Sequence, residues 1–317
     1  MAVELAVIGV PSSAGAHHAG QDRAPAALRG RGFVNKLSSA GLHVVDTGDV
    51  AGEVWAPDAA DAVARNMDAV VRVALTVADT VERHSRAGRV PVVLGGDCTI
   101  TVGVVAGLQR VRDDVRVAYF DGDADLNSPD HSRSGILDAT GVAHLLGIAD
   151  TPLARIGSQF PMLAEHQLTL LGYDPTDPDS FDDQALRARP TLVHANDIDV
   201  RADPIGMARR AVEAIATGGA SVVVHFDVDA VDSRDLALAN YPHYGTGIPL
   251  DAAGAVLETL LRAPGLAAVV LTEVNPTHDP EGTQLDRYID TVTTAVSDAL
   301  SQYGISSDAR RVPRGAP

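Results

Sequence analysis

The chain has 317 residues, 45% of them hydrophobic and 4% aromatic, with a formal net charge of −17 at pH 7. That length suits one large α/β domain with a substantial core, and the acidic balance argues against nucleic acid or an anionic membrane surface as partner while suiting cationic small molecules. No apolar run approaches the roughly 18 residues of a membrane span, and a single cysteine, Cys98, rules out an intramolecular disulfide framework.

In chain order, a first strand is predicted at residues 4–9, close enough to the N-terminus to leave no room for a signal peptide, so the expected location is cytoplasmic. A second strand follows at 43–47. A helix is predicted over 57–86, where Ala60, Val63, Met67, Val70, Ala74, Val77 and Val81 form a stripe of spacing three and four. Further strands are predicted at 90–95, 115–121, 168–172, 192–195, 221–227 and 267–273, with helices at 99–110, 203–217, 250–263 and 284–302. Proline and glycine cluster at 127–141 and 174–190, which read as loops. Strands alternating with helices imply right-handed crossovers and a three-layer α/β/α arrangement with a mainly parallel sheet. Residues 1–305 read as a single domain and 306–317 as a flexible tail.

Three short polar segments each follow an apolar run of buried-strand character. They are GGDCT (Gly95 to Thr99) after VPVVL, DGDAD (Asp121 to Asp125) after VRVAYF, and DVD (Asp227 to Asp229) after SVVVHF. Ligands of open parallel sheets bind beyond the carboxyl ends of the strands, so the three segments are expected to converge. Two carboxylates about 4 Å apart repel by roughly 4 kcal/mol at an effective dielectric near 20. Asp121, Asp123, Asp125, Asp227 and Asp229 together therefore call for bound divalent cations.

These segments, in this order, resemble those of the arginase–agmatinase (ureohydrolase) family, closest in pattern to the arginase branch. IGVPSSAG (Ile8 to Gly15), GQDRAPAALR (Gly20 to Arg29), DTGDV (Asp46 to Val50) and TEVNP (Thr272 to Pro276) extend the resemblance over most of residues 4–300. It implies an arginase-like fold, a homotrimer or homohexamer, and a Mn²⁺ centre of one or two ions, other divalent metals remaining open. Cys98, Asp121, Asp125 and Asp227 would surround one ion, and Asp121, Asp123, Asp227 and Asp229 the other. Hydroxide formed from water at the metals would attack a guanidinium carbon, with Asp125 assisting its proton. Glu273 would hold the guanidinium through paired N–H bonds. Asn127 and Ser134 fall where the arginase branch contacts an amino-acid carboxylate, Asp177 loosely matches its contact to the α-amino end, and Asp138 stands where it has a proton-shuttling histidine.

Two departures accompany the match. The family usually has histidine after GGD and in the middle of the second segment, where this chain has Cys98 and Asp123. With Cys98 as thiolate the six ligand positions would carry six negative charges, a surplus that makes bound metal a poorer Lewis acid. Either Cys98 stays protonated and unbound, or a cationic substrate matches the surplus, or catalysis is lost. Cys98 is accordingly either a ligand or a small buried hydrophobe. His225 lies on the same side of its strand as Asp227 and is either a replacement nitrogen donor or a hydrogen-bonded core histidine. His17, His18, His131, His144, His243 and His278 show no metal-ligand spacing. The expected activity is hydrolysis of the guanidino C–N bond of an arginine-like compound, to urea or an analogue plus an amine. Its rivals are a non-catalytic protein of this fold that binds a cationic ligand or partner, and a C–N hydrolase acting on a modified guanidine or formimino substrate.

Overall fold

Every predicted strand forms in the computed structural model, which describes residues 3–58 and 60–305, so the predicted tail at 306–317 lies outside the described residues. The strands are Glu4–Gly9 (β1), His43–Asp49 (β2), Arg89–Leu94 (β3), Val115–Phe120 (β4), Leu168–Leu171 (β5), Val193–Ala195 (β6), Ser221–Asp227 (β7) and Leu266–Thr272 (β8). They join one sheet in the order β2-β1-β3-β8-β7-β4-β5-β6, and all neighbours pair in parallel. The connection from β3 to β4 leaps across β8 and β7; β4 then hands the chain outward to β5 whereas its neighbour β7 hands it back to β8, so adjacent central strands send the chain in opposite directions. The four strands that precede the polar motifs are thus the four central ones, and their carboxyl ends open onto the reversal point where such sheets bind ligands.

Side chains alternate across each strand and divide the core in two. On β7, Val222, Val224 and Phe226 join the layer of the helices Ala24–Gly30 (α1), Phe33–Ser39 (α2), Pro204–Ile215 (α8), Leu250–Leu261 (α9) and Thr283–Ile305 (α10). Val223 faces the opposite layer, built chiefly from Met67–Arg86 (α3), Ile100–Gln109 (α4) and Gly141–Leu145 (α5). Short helices at Asp183–Arg187 (α6) and Asp197–Ala202 (α7) complete the connections. Tight packing of α3 on α4 depends on glycine: a Cβ on Gly103 or Gly107 would stand 2.5 Å from the carbonyl oxygen of Ala74 or Ala78.

One helix begins later than its apolar stripe predicts. α3 starts at Met67 rather than near residue 57. Before it, Asp58 accepts from the backbone of Ala60 and Asp61, and Asp61 accepts from Val63 and Ala64. Such local bonds offer the backbone an alternative to the helical ladder, and they leave Val63 about half exposed.

Candidate active site

The ends of β3 and β8 are laced together before the motif side chains emerge. Gly95 donates to the Leu271 carbonyl at 2.8 Å and Glu273 to the Gly96 carbonyl at 3.1 Å. The following turn into α4 buries Cys98, whose amide donates to Asp138 Oδ1 at 2.7 Å. At the end of β4, the amide of Gly122 donates to Asp229 Oδ1 at 2.9 Å, and a Cβ there would fall 2.5 Å from the Asp229 carbonyl oxygen. Only glycine lets the second and third motifs approach this closely. Asp121 Oδ1 accepts from the Asp123 amide at 2.7 Å, and Asp227 Oδ1 from the Asp229 amide at 2.8 Å. These turns aim the carboxylates at a common space.

The convergence is complete for the residues assigned to metal. Cys98, Asp121, Asp123, Asp125 and Asp229 line one narrow cleft with Asp138 and Glu273, and Asp227 closes its floor beneath Cys98. Cys98 Sγ donates to Asp227 Oδ2 at 2.6 Å, and Thr272 Oγ1 donates to the same oxygen at 2.9 Å. Cys98, Asp121, His225 and Asp227 each offer a ligand atom within 4.8 Å of the others, as do Cys98, Asp138 and Glu273, and Asp123, Asp177 and His243.

Burial and mutual repulsion dominate the electrostatics. Burial, reinforced by the neighbouring aspartates, lifts Asp121, Asp125, Asp138, Asp229 and Glu273 well above the usual carboxylate range. Burial likewise raises Asp227 to about 7 and pushes the Cys98 thiol far up. Asp123 goes the other way: burial would raise it, but His243 beside it holds it below the ordinary value. His243 itself is raised to about 10, Asp123 outweighing the burial that would lower it. His225, fully buried, is lowered to about 3 and is a neutral imidazole. Among the described residues, no arginine or lysine lines the cleft.

Residues assigned to the substrate are dispersed. Glu273 sits in the cleft at φ 64, with Oε2 accepting from Gln21 Nε2 at 2.6 Å, the Asp138 carboxyl hydrogen-bonded to its carboxyl, and Oε1 otherwise unpaired. Asp138 faces Cys98 and Glu273. Asp177, half-buried, adjoins Asp123 and is raised to about 6, chiefly by burial and then by that neighbour. Asn127 lies outside the cleft lining and spends its amide on the carbonyls of Pro178 and Asp179, at 3.2 and 2.8 Å. Ser134 Oγ lies 3.1 Å from Ser132 Oγ and accepts from the Ile136 amide, also outside the lining.

Several neighbours of the site escaped sequence reasoning. Tyr119 donates its hydroxyl to Asp125 Oδ2 at 2.6 Å; its odd-numbered place before Asp121 on a predicted strand was an available signal. Gln21 reaches Glu273 across 252 residues, and His243 reaches Asp123 from a loop with no periodicity. His17 and Tyr241, stacked at 4.8 Å, stand at the cleft mouth. Asp125 at φ 52 and Glu273 are strained, since non-glycine residues seldom adopt positive φ.

Known proteins share this architecture. Crystal structures of the arginases of Bacillus caldovelox and Entamoeba histolytica superpose with TM-scores of 0.80 and 0.81, at 23% and 21% identity, covering 93% and 94% of this chain and 98% and 99% of theirs. At that identity they speak to the fold. In sequence, the arginase of Brevibacillus brevis is 30% identical over 282 residues, 87% of this chain and 92% of that protein. A family model described as "Arginase family" matches residues 3–297, and the chain therefore belongs to the arginase family of hydrolases.

Proposed function

We propose that the protein is a divalent-metal-dependent amidinohydrolase that cleaves the guanidino C–N bond of an arginine-like compound, releasing urea or an analogue and an amine. The observation that carries this reading is the carboxylate of Glu273, buried in a cleft of aspartates with the Asp138 carboxyl as its hydrogen-bonding neighbour and Oε1 otherwise unpaired. Its other oxygen is fixed by Gln21, so the carboxylate is oriented before any ligand arrives. A guanidinium presents paired, planar N–H donors that match a carboxylate held in this way.

The donors suit divalent metal. Buried oxygens, one sulfur and a neutral imidazole converge where protonation alone relieves their repulsion, and metal displaces such protons on binding. Cys98, Asp121, Asp123, Asp125, Asp227 and Asp229 would hold it. Their oxygen-rich composition favours Mn²⁺, although a thiolate leans towards Zn²⁺ or Fe²⁺. Bound divalent ions supply Lewis acidity and let water ionise near neutral pH.

The chain's own groups would then hold the substrate and move protons. Asp125, oriented by Tyr119, accepts the proton of the attacking water. Asp138, kept protonated by burial and by its acidic neighbours, is placed to deliver a proton to the departing amine. Asp177 receives the α-ammonium end, the Ser134 hydroxyl donates to the carboxylate end, and Asn127 fixes the loop that carries Asp177. Urea release from arginine, from modified guanidines and from a guanidino amine without carboxylate tests the reading. Mn²⁺-dependent urea from at least one supports it, and metal uptake with no release from any contradicts it.

A further inference from the structure

We infer that His225 and His243 are the nitrogen donors of the metal centre, replacing from new places in the chain the two histidines that Cys98 and Asp123 displace. The inference rests on the metal-dependent reading above and deepens it.

Each replaced position has a buried histidine at its side. His225 Nε2 lies 3.7 Å from Cys98 Sγ and 3.3 Å from Asp121 Oδ2. Its ring is fixed from two directions: Nδ1 is 2.8 Å from Thr101 Oγ1, and the ring stacks on Tyr119 with centroids 3.9 Å apart and planes 6° from parallel. A ligand histidine characteristically bonds its second nitrogen to a polar partner that fixes tautomer and orientation. With Nδ1–H donating to Thr101, Nε2 presents its lone pair to Asp121, Asp227 and Cys98.

His243 stands in the same relation to Asp123. Its Nε2 is 3.3 Å from Asp123 Oδ1 yet makes no well-aligned hydrogen bond, although the side chain is only 7% exposed. His243, Asp123 and Asp177 each offer a ligand atom within 4.8 Å of the others. Ser180 Oγ donates to Asp123 Oδ1 at 3.0 Å and holds that carboxylate in place. A buried ring nitrogen that meets a tethered carboxylate only at 3.3 Å and off the ideal line is a pair of donors whose shared proton a divalent cation would displace. Once a divalent ion displaces the proton of His243, the two imidazoles add nitrogen donors to the aspartates without adding negative charge. Asp177 is left to the substrate.

The test is proton NMR of the Co²⁺-loaded full chain, in which each ligand histidine gives one strongly shifted resonance from its ring N–H that vanishes in D₂O. Two such resonances are expected, with His243→Gln and His225→Gln each removing one while bound Co²⁺ remains measurable by elemental analysis. Because His225 is fully buried, Thr101→Val provides a second handle: it should displace the His225 resonance and weaken Co²⁺ binding by roughly 10–100-fold. Bound Co²⁺ with fewer than two such resonances, or with both unchanged in His243→Gln, overturns the assignment and leaves the metal reading standing. Failure to bind any Co²⁺ overturns both.

Discussion

Glu273 is the residue on which recognition and strain meet. Its φ of 64 lies in the left-handed region, where a non-glycine residue costs on the order of 1–3 kcal/mol, and its carboxylate is buried between Gln21 and the Asp138 carboxyl. Glu273→Gln should weaken binding of a guanidino ligand by roughly 1.5–3 kcal/mol while metal content stays constant; equal affinities by calorimetry would remove Glu273 from the site. Glu273→Gly should abolish that binding yet raise the melting temperature of the metal-free protein, because glycine relieves both the strain and the buried carboxyl. Lower stability in that variant would show that the bond from Gln21 outweighs the strain. At this scale the aspartates were legible in the sequence because they cluster at the carboxyl ends of two apolar strands, β4 and β7. His243, Gln21 and Thr101 were not, because their partners are brought to them by loops and crossovers 120 to 252 residues long.

Among the secondary-structure elements, the inner strands were readable because burial on both faces writes continuous apolar runs, whereas the edge strands β2 and β6 are only partly buried and carry short ones. The short helices α1, α2, α5, α6 and α7 carry too few turns to establish a periodicity, and none was foreseen. The late start of α3 has a different cause: the stripe through Ala60 and Val63 is genuine, but Asp58 and Asp61 capture the backbone first. The α3–α4 contact yields a prediction opposite in sign to helix propensity. Alanine is the better helix former by about 1 kcal/mol, yet Gly107→Ala would set a Cβ 2.5 Å from the Ala78 carbonyl oxygen. Overpacking of that kind costs about 1–3 kcal/mol, so chemical denaturation should find the variant less stable. A gain in stability would mean that α3 can move away from α4 freely.

For the whole molecule, buried acids gather beyond the ends of the central strands. Asp227, ordinarily near 3.8, is raised to about 7 by burial, and burial also lifts Asp121, Asp125, Asp138 and Asp229 well above the usual carboxylate range. A carboxyl with a higher pKa in the folded than in the unfolded state binds its proton more tightly when folded. Its stabilisation is full below the unfolded value and is lost as pH rises through the folded one. The metal-free protein should therefore lose stability between about pH 4 and pH 7 from Asp227 alone, by an amount on the order of a few kcal/mol. Asp123 opposes this weakly, because His243 lowers it. Asp227→Asn should flatten the decline and reduce metal uptake together; a metal-free protein whose stability rises across that window would contradict the burial of these groups as acids.

The central claim is that the converged strand ends are a divalent-metal centre, and calorimetric titration of Mn²⁺ into the metal-free protein tests it most directly. Run near pH 7 in buffers of different ionisation enthalpy, it reads stoichiometry and proton release at once. The account predicts saturation at about one or two ions per chain, with protons released as the raised carboxyls ionise. No saturable uptake, or uptake without proton release, would contradict it.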